Sequence, residues 1–359
     1  MHFERSNIQA MRGYTPGEQP QQADIIKLNT NENPYPASDA VGAALAGVGI
    51  EELRRYPPPL ANEFRLTAAQ YHQLDKDNIL PTNGGDELLR LAVTTFAAPG
   101  DTIAIAKPSY SLYPVLTEIH DCKLAEIPLT SNWNLPDDFC EALQHTDAKL
   151  AMLVNPHAPS GLLTDAGVLI DIAKNFNGVL LVDEAYVDFV DPAHKYDLVA
   201  SILSLDNLLI LRTLSKGYSL AGLRFGYGIG AKSLLEPMLY KTRDSYNTDF
   251  ISQKLATAAL SSTDDAKESW IKVRAERQKL AIALNQLGLP CLPSQANFLL
   301  AQASTDKEAN DIYTFLKNQG ILIRYFNEEG LKDKLRISIG TATQNELLLS
   351  NLQKFFQLK

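Results

Sequence analysis

Cysteine is scarce in this sequence. The three residues Cys122, Cys140 and Cys291 lie far apart, show no metal-ligand spacing and cannot all pair. That scarcity excludes a disulfide scaffold and points to a reducing, cytoplasmic setting. Among the histidines, His157 and His194 stand isolated, as ordinary loop residues do. No apolar run approaches the length of about 20 residues that a membrane span needs. The opening MHFERSNIQA is polar and charged, which does not read as a signal peptide. No dense Lys/Arg run occurs and the formal net charge is −9, so neither nucleic acid nor an anionic membrane is an expected partner. Repeats and low-complexity segments are lacking as well.

What remains is a chain of ordinary globular composition, 45% hydrophobic and 21% charged, with 359 residues to fill two domains. Residues 1–38 read as an N-terminal arm, with YTPGEQPQQ, a brief strand at Ile25–Leu28 and then NTNENPYP. Helical patterns follow at Asp39–Gly47, with Ser38 as its cap, and at Asn62–Leu74. Between them RRYPPP places three prolines in a row, which enforces an extended crossing. Up to Gly230, apolar runs alternate with amphipathic helices. The runs are Thr102–Ala106, Lys123–Ile127, Leu150–Val154, Val179–Val182, Leu208–Leu211 and Phe225–Ile229. This alternation predicts an α/β fold, a largely parallel sheet covered on both faces, over residues 39–250. A charged helical pattern from Asp264 to Leu287 leads into a smaller α/β domain within residues 251–359. Its strands are expected at Phe298–Ala301, Ile321–Arg324 and Leu335–Ile339, its helices at Lys307–Asn318 and Gln344–Phe356, and the arm is expected to pack on it.

Ligands on parallel sheets collect where strands end and loops begin. The run Leu208–Leu211 feeds a polar turn that delivers Ser215 and Lys216, followed by Gly217, Gly222, Gly226, Gly228 and Gly230 with Arg224 among them. A free lysine has a pKa of about 10.4, so roughly 4–5 kcal/mol must be offset before its amine is a nucleophile at neutral pH. A Schiff base with an aldehyde cofactor is one use of such a lysine, and a solvated loop lysine is the plain alternative. Asn83-Gly84-Gly85-Asp86 opens a helix whose free N–H groups would favour a phosphate, though a simple turn has the same pattern. Tyr110, after Thr102–Ala106, can lie against an aromatic ligand or merely pack. Asp183, at the end of Val179–Val182, needs a partner: a salt bridge, a metal or a protonated heterocycle. Tyr186 follows three residues later. Together, a phosphate cradle, an aromatic plate, a carboxylate, a tyrosine and a lysine suit pyridoxal 5′-phosphate.

The motifs KLNTNENPYP, RRYPPP, NGGDELL, PSYSLYP, VDEAYVDF, RTLSKGYSLAGLRFGY, SQANFLL, ILIRYF and LRISIGT span nearly the whole chain. In that combination the chain resembles the pyridoxal-phosphate-dependent transferases of fold type I, the aspartate-aminotransferase fold. The resemblance implies that Lys216 carries the cofactor and that Asp183 pairs its ring nitrogen. Tyr110 would stack on the ring and Tyr186 would bond its phenolic oxygen. The backbone amides of Gly85 and Asp86, together with Ser215 and Arg224, would hold the phosphate, with Tyr56 reaching across a homodimer into the neighbouring site. Arg336 and Arg324, with Tyr14, Asn31 and Asn247, would read the substrates. The expected reaction is transamination between histidinol phosphate and 2-oxoglutarate in histidine biosynthesis. An aromatic-amino-acid aminotransferase and a threonine-phosphate decarboxylase on the same scaffold are the alternatives. One departure stands out: Ala158 occupies the position where the family has an asparagine that bonds the phenolic oxygen.

Overall fold

A computed structural model describes residues 3–15, 17–19 and 24–358. Pro16 of the YTPGEQ motif and residues 20–23 of the arm lie outside them. The strands are β1 (Ile26–Leu28), β2 (Ile79–Thr82), β3 (Thr102–Lys107), β4 (Lys123–Pro128), β5 (Leu150–Val154), β6 (Val179–Asp183), β7 (Leu208–Thr213), β8 (Gly226–Gly230), β9 (Phe298–Gln302), β10 (Ile321–Tyr325) and β11 (Lys334–Ser338). Seven form a sheet in the order β2-β8-β7-β6-β5-β3-β4, and four form a second sheet in the order β1-β10-β11-β9.

In the larger sheet only β8 runs against its neighbours. The interior strand β5 buries all five residues, LAMLV, and β6 and β7 are nearly as apolar. Continuous runs of that kind belong to strands covered on both faces, and helices such as Gly84–Phe96, Leu112–Ile119 and Ala166–Asn175 supply the cover. Strand β2 goes beyond the apolar pair Ile79-Leu80, since Pro81 and Thr82 continue it against β8. Proline is tolerated in this strand because β2 is the sheet's edge.

The second sheet joins the two ends of the chain. Strand β1 pairs in parallel with β10, Ile26 opposite Ile321, so the segment after β1 is drawn into the space between the sheets. The helix Thr263–Gln286 is fastened on both sides. Its Trp270 Nε1 donates to Gly217 O at 2.7 Å, while Arg277 Nη1 donates to Phe189 O at 3.0 Å and to Ala296 O at 2.8 Å. Two local expectations change. Ser38 precedes the helix Asp39–Ala46, yet its hydroxyl bonds Ser262 Oγ at 2.8 Å instead of capping. A further helix, Phe250–Ser261, begins at Asp249, whose carboxylate accepts from Ser252 N at 2.8 Å. That cap was the available signal for it.

Candidate active site

Because β3, β5, β6 and β7 are parallel, their carboxyl ends open on one edge. Together with the start of the helix Gly84–Phe96 they form the inner wall of a cleft of about 250 Å³. Lys216 leaves the turn after β7 partly buried, and its Nζ donates to Thr30 O at 2.9 Å. Burial, then the nearby Arg336, lowers its pKa to about 8, with Glu32 acting in the opposite sense. Asp183, 5% exposed, accepts from Tyr113 Oη at 3.1 Å and from Ala185 N at 3.0 Å. Burial nonetheless raises its pKa to about 6. A cation placed opposite would restore the carboxylate.

The glycines at the helix start are required by close approach. Gly84 has φ +75°, and a Cβ there would stand 2.7 Å from Arg224 Nη2. A Cβ on Gly226 would stand 2.9 Å from Gly84 C and 3.0 Å from Gly85 N. The space beside this cradle is lined by Gly85, Asp86, Ser215, Arg224 and Ser109, whose buried Oγ has no partner. Helix-start N–H groups, an arginine and serine hydroxyls make an anion cradle.

Tyr110 lies on the same wall, edge-on to Tyr113 with ring centroids 5.5 Å apart and to Tyr14 at 6.0 Å. Tyr186 Oη accepts from Asn31 Nδ2 at 3.1 Å. Asn31, held at φ 58°, is fixed by Ser338 Oγ, which donates to its Oδ1 at 2.9 Å, and by Asn297 Nδ2, which donates to its carbonyl at 2.9 Å.

The outer wall brings Arg324 and Arg336 directly opposite each other across β10 and β11, so both side chains share one face. Like charges in that position repel, and an anion between them relieves the repulsion. Phe298 and Phe326 flank Arg336 at 5.4 and 5.6 Å, and its Nη2 donates to Asn29 O at 3.0 Å.

Two expected site residues stand elsewhere in this chain. Asn247 does not line the cleft, because its amide donates to Pro81 O at 3.0 Å and to Glu87 Oε2 at 2.9 Å while its oxygen accepts from Arg243. Tyr56 is 81% exposed and stacks on Tyr246 at 4.5 Å, away from its own cleft. His157 is not an ordinary loop residue. It is buried, with Nδ1 at 2.7 Å from Ser160 Oγ and Nε2 at 3.0 Å from Pro108 O. Burial lowers its pKa to about 4, so the ring is neutral and ties the loop after β5 to the one carrying Tyr110. Ala158 beside it does line the cleft. Tyr113 and Asn29 escaped sequence reasoning. The spacing of Tyr113 three residues after Tyr110, the distance of one helical turn, was the usable signal for the first.

A family model for class I and II aminotransferases matches residues 23–352. The chain belongs to that family. This aminotransferase is 43% identical to histidinol-phosphate aminotransferase 1 of Trichormus variabilis, over 98% of each chain. It is 41% identical to histidinol-phosphate aminotransferase 1 of Nostoc sp., over 99% of each. A crystal structure of histidinol-phosphate aminotransferase from Sinorhizobium meliloti in complex with pyridoxal-5′-phosphate has the same fold. The TM-score is 0.91 at 24% identity, covering 99% of this chain and 98% of that one. Fold type I, with its mostly parallel seven-stranded sheet and smaller mixed sheet, is therefore the architecture of this aminotransferase.

Proposed function

We propose that this aminotransferase uses pyridoxal 5′-phosphate to move an amino group between histidinol phosphate and 2-oxoglutarate in histidine biosynthesis. One observation carries the reading: a lysine with lowered pKa and a buried carboxyl with raised pKa share one cleft with an anion cradle. The residues fit the cofactor. The backbone amides of Gly85 and Asp86, with Ser215 and Arg224, would hold its phosphate, and Tyr110 would lie against its ring. Asp183 would face the ring nitrogen, while Tyr186, oriented by Asn31, would bond the phenolic oxygen. The cofactor supplies an aldehyde that takes up the amino group and a protonated ring that accepts the electron pair left at the substrate's Cα.

The protein supplies the rest. Lys216 would hold the aldehyde and would move the proton at the substrate's Cα. Its lowered pKa leaves about half the amine neutral near pH 8, where an unshifted lysine would leave roughly one in 300. Tyr113 holds Asp183 in place, and its charge would face the ring. Arg324 and Arg336 would grip the anionic end of each substrate.

The same reading divides the chain near residues 38 and 250 and makes the working unit a homodimer in the cytoplasm. The exposed Tyr56, on an extended proline segment, would serve the neighbouring subunit's phosphate site. No helix among the described residues is long and apolar enough to cross a membrane. Mixing Lys216→Ala and Tyr56→Ala chains should restore one working site per mixed dimer, and no recovery despite proven exchange would remove the shared site. The activity itself is tested by glutamate-dependent turnover of imidazole-acetol phosphate beside phenylpyruvate. Faster turnover of phenylpyruvate, or release of carbon dioxide, would overturn the assignment.

A further inference from the structure

The outer end of the cleft holds acceptors as well as arginines. Asn29 is 2% exposed, and its Nδ2 donates to Glu18 O at 2.8 Å. That bond decides which end of the amide is which, since a flipped amide would set oxygen against oxygen. The remaining atom, Oδ1, is therefore an acceptor; it is buried, has no partner and belongs to a residue lining the cleft. Asn29 sits among the anion-binding groups. Its carbonyl holds Arg336, and a Cβ on Gly17 would stand 3.8 Å from both Asn29 Nδ2 and Arg324 Nη1. On the same wall the turn between β10 and β11 carries Phe326 and Glu328, with Leu331 N donating to Glu328 O at 3.0 Å. Of the other carboxylates lining the cleft, Asp86 pairs with Arg224 at 3.5 Å and Asp183 lies on the inner wall.

A subsite made only for anions has no use for two acceptors. The side chain of glutamate brings acceptors and negative charge, so it satisfies the arginines and leaves Asn29 Oδ1 unpaired. Histidinol phosphate brings a phosphate and also a ring N–H, on an imidazole that is neutral or cationic near neutral pH. We propose that Asn29 Oδ1 and the Glu328 carboxylate read the imidazole N–H of the substrate, while Arg324 and Arg336 hold its phosphate. The two acceptors are specificity-determining residues. The inference rests on the histidinol phosphate activity proposed above.

The test compares histidinol phosphate with phenylalaninol phosphate, which keeps the phosphate and ring shape but has no ring N–H. Both are followed by single-turnover amino-group transfer and by equilibrium binding to the holoenzyme. Asn29→Ala should cut kcat/KM for histidinol phosphate about tenfold, the effect of one lost neutral hydrogen bond. Glu328→Gln, at an exposed position, should cut it about threefold. Phenylalaninol phosphate should lose less than about twofold in either variant, so the preference for imidazole falls. Asn29→Ala also removes the bond to Glu18, but that loss strikes both substrates alike and cancels in the ratio. Glu328→Gln, at an exposed position, carries the test by itself if Asn29→Ala fails to fold. An unchanged preference in Glu328→Gln, or equal losses on both substrates, would overturn the subsite. A wild-type enzyme inert to both phosphates yet active on phenylalanine would instead remove the parent activity, and the subsite with it.

Discussion

The two walls of the cleft are built on different plans. The inner wall comes from the carboxyl ends of adjacent parallel strands, and its residues brace one another within the larger sheet. Asp183 is held by Tyr113, and Ser215 N donates to Thr213 Oγ1 at 3.1 Å. The outer wall is assembled from the arm, the turn after β10 and strand β11, which are remote in sequence. Asn31 and Ser338, 307 residues apart, share two hydrogen bonds that join arm and sheet. Fixed groups suit the inner wall, where one cofactor would be held for every turnover. An arm laid across a small sheet suits the outer wall, which has to accept two substrates that differ in shape.

If the division is right, the largest effects come from the inner wall. Lys216→Ala should lower turnover by roughly a thousandfold or more, since it removes the group that moves the proton. Substrate binding by calorimetry should change little, and retained turnover would end the distinction between the walls. In the cofactor-free protein, burial lowers the Lys216 pKa to about 8, so the neutral amine predominates above that pH. Its acylation, followed by peptide mapping, should therefore show a midpoint near there and not near that of exposed lysines. Asp183→Asn comes next. Breaking a buried charge pair costs about 3–5 kcal/mol, or roughly two to three decades of rate. A wild-type rate would make Asp183 structural.

Outer-wall changes should be smaller and should depend on the substrate. Arg336→Ala is expected to slow single turnover with glutamate and with histidinol phosphate alike, by roughly ten- to a hundredfold. Arg324→Ala should impair histidinol phosphate far more than glutamate, because the phosphate offers a third oxygen and more charge. Equal losses in the Arg324 variant would mean that the outer wall does not separate the substrates. The smallest change returns to the inner wall. Ala158→Asn adds a donor for the phenolic oxygen and should shift the titration of the bound cofactor's visible band down by about one to two pH units. A band that does not move, or moves up, would leave Ala158 without that role.

The same contrast explains what the sequence revealed. Asp183 was visible because it follows directly on the apolar run Val179–Val182 and ends that strand, and Lys216 because it stands in the polar turn that Leu208–Leu211 feeds. Glycines 84 and 85 were visible for the same reason. Nothing local marked Asn29 or paired Arg324 with Arg336, because β1, β10 and β11 meet only through the fold. Those arginines entered through resemblance to a family. Asn247 came by the same route, and within this chain its amide donates to Pro81 and Glu87. His157 looked unremarkable since its two partners, Ser160 and Pro108, lie on different loops.

The central claim is that Lys216, on the inner wall, is the residue that carries the cofactor. Borohydride reduction of the yellow protein followed by peptide mapping tests it most directly. The pyridoxyl mass should appear on the peptide containing Lys216 and be lost in Lys216→Ala. A label on another lysine, or a reduced protein with no covalent cofactor, would contradict it.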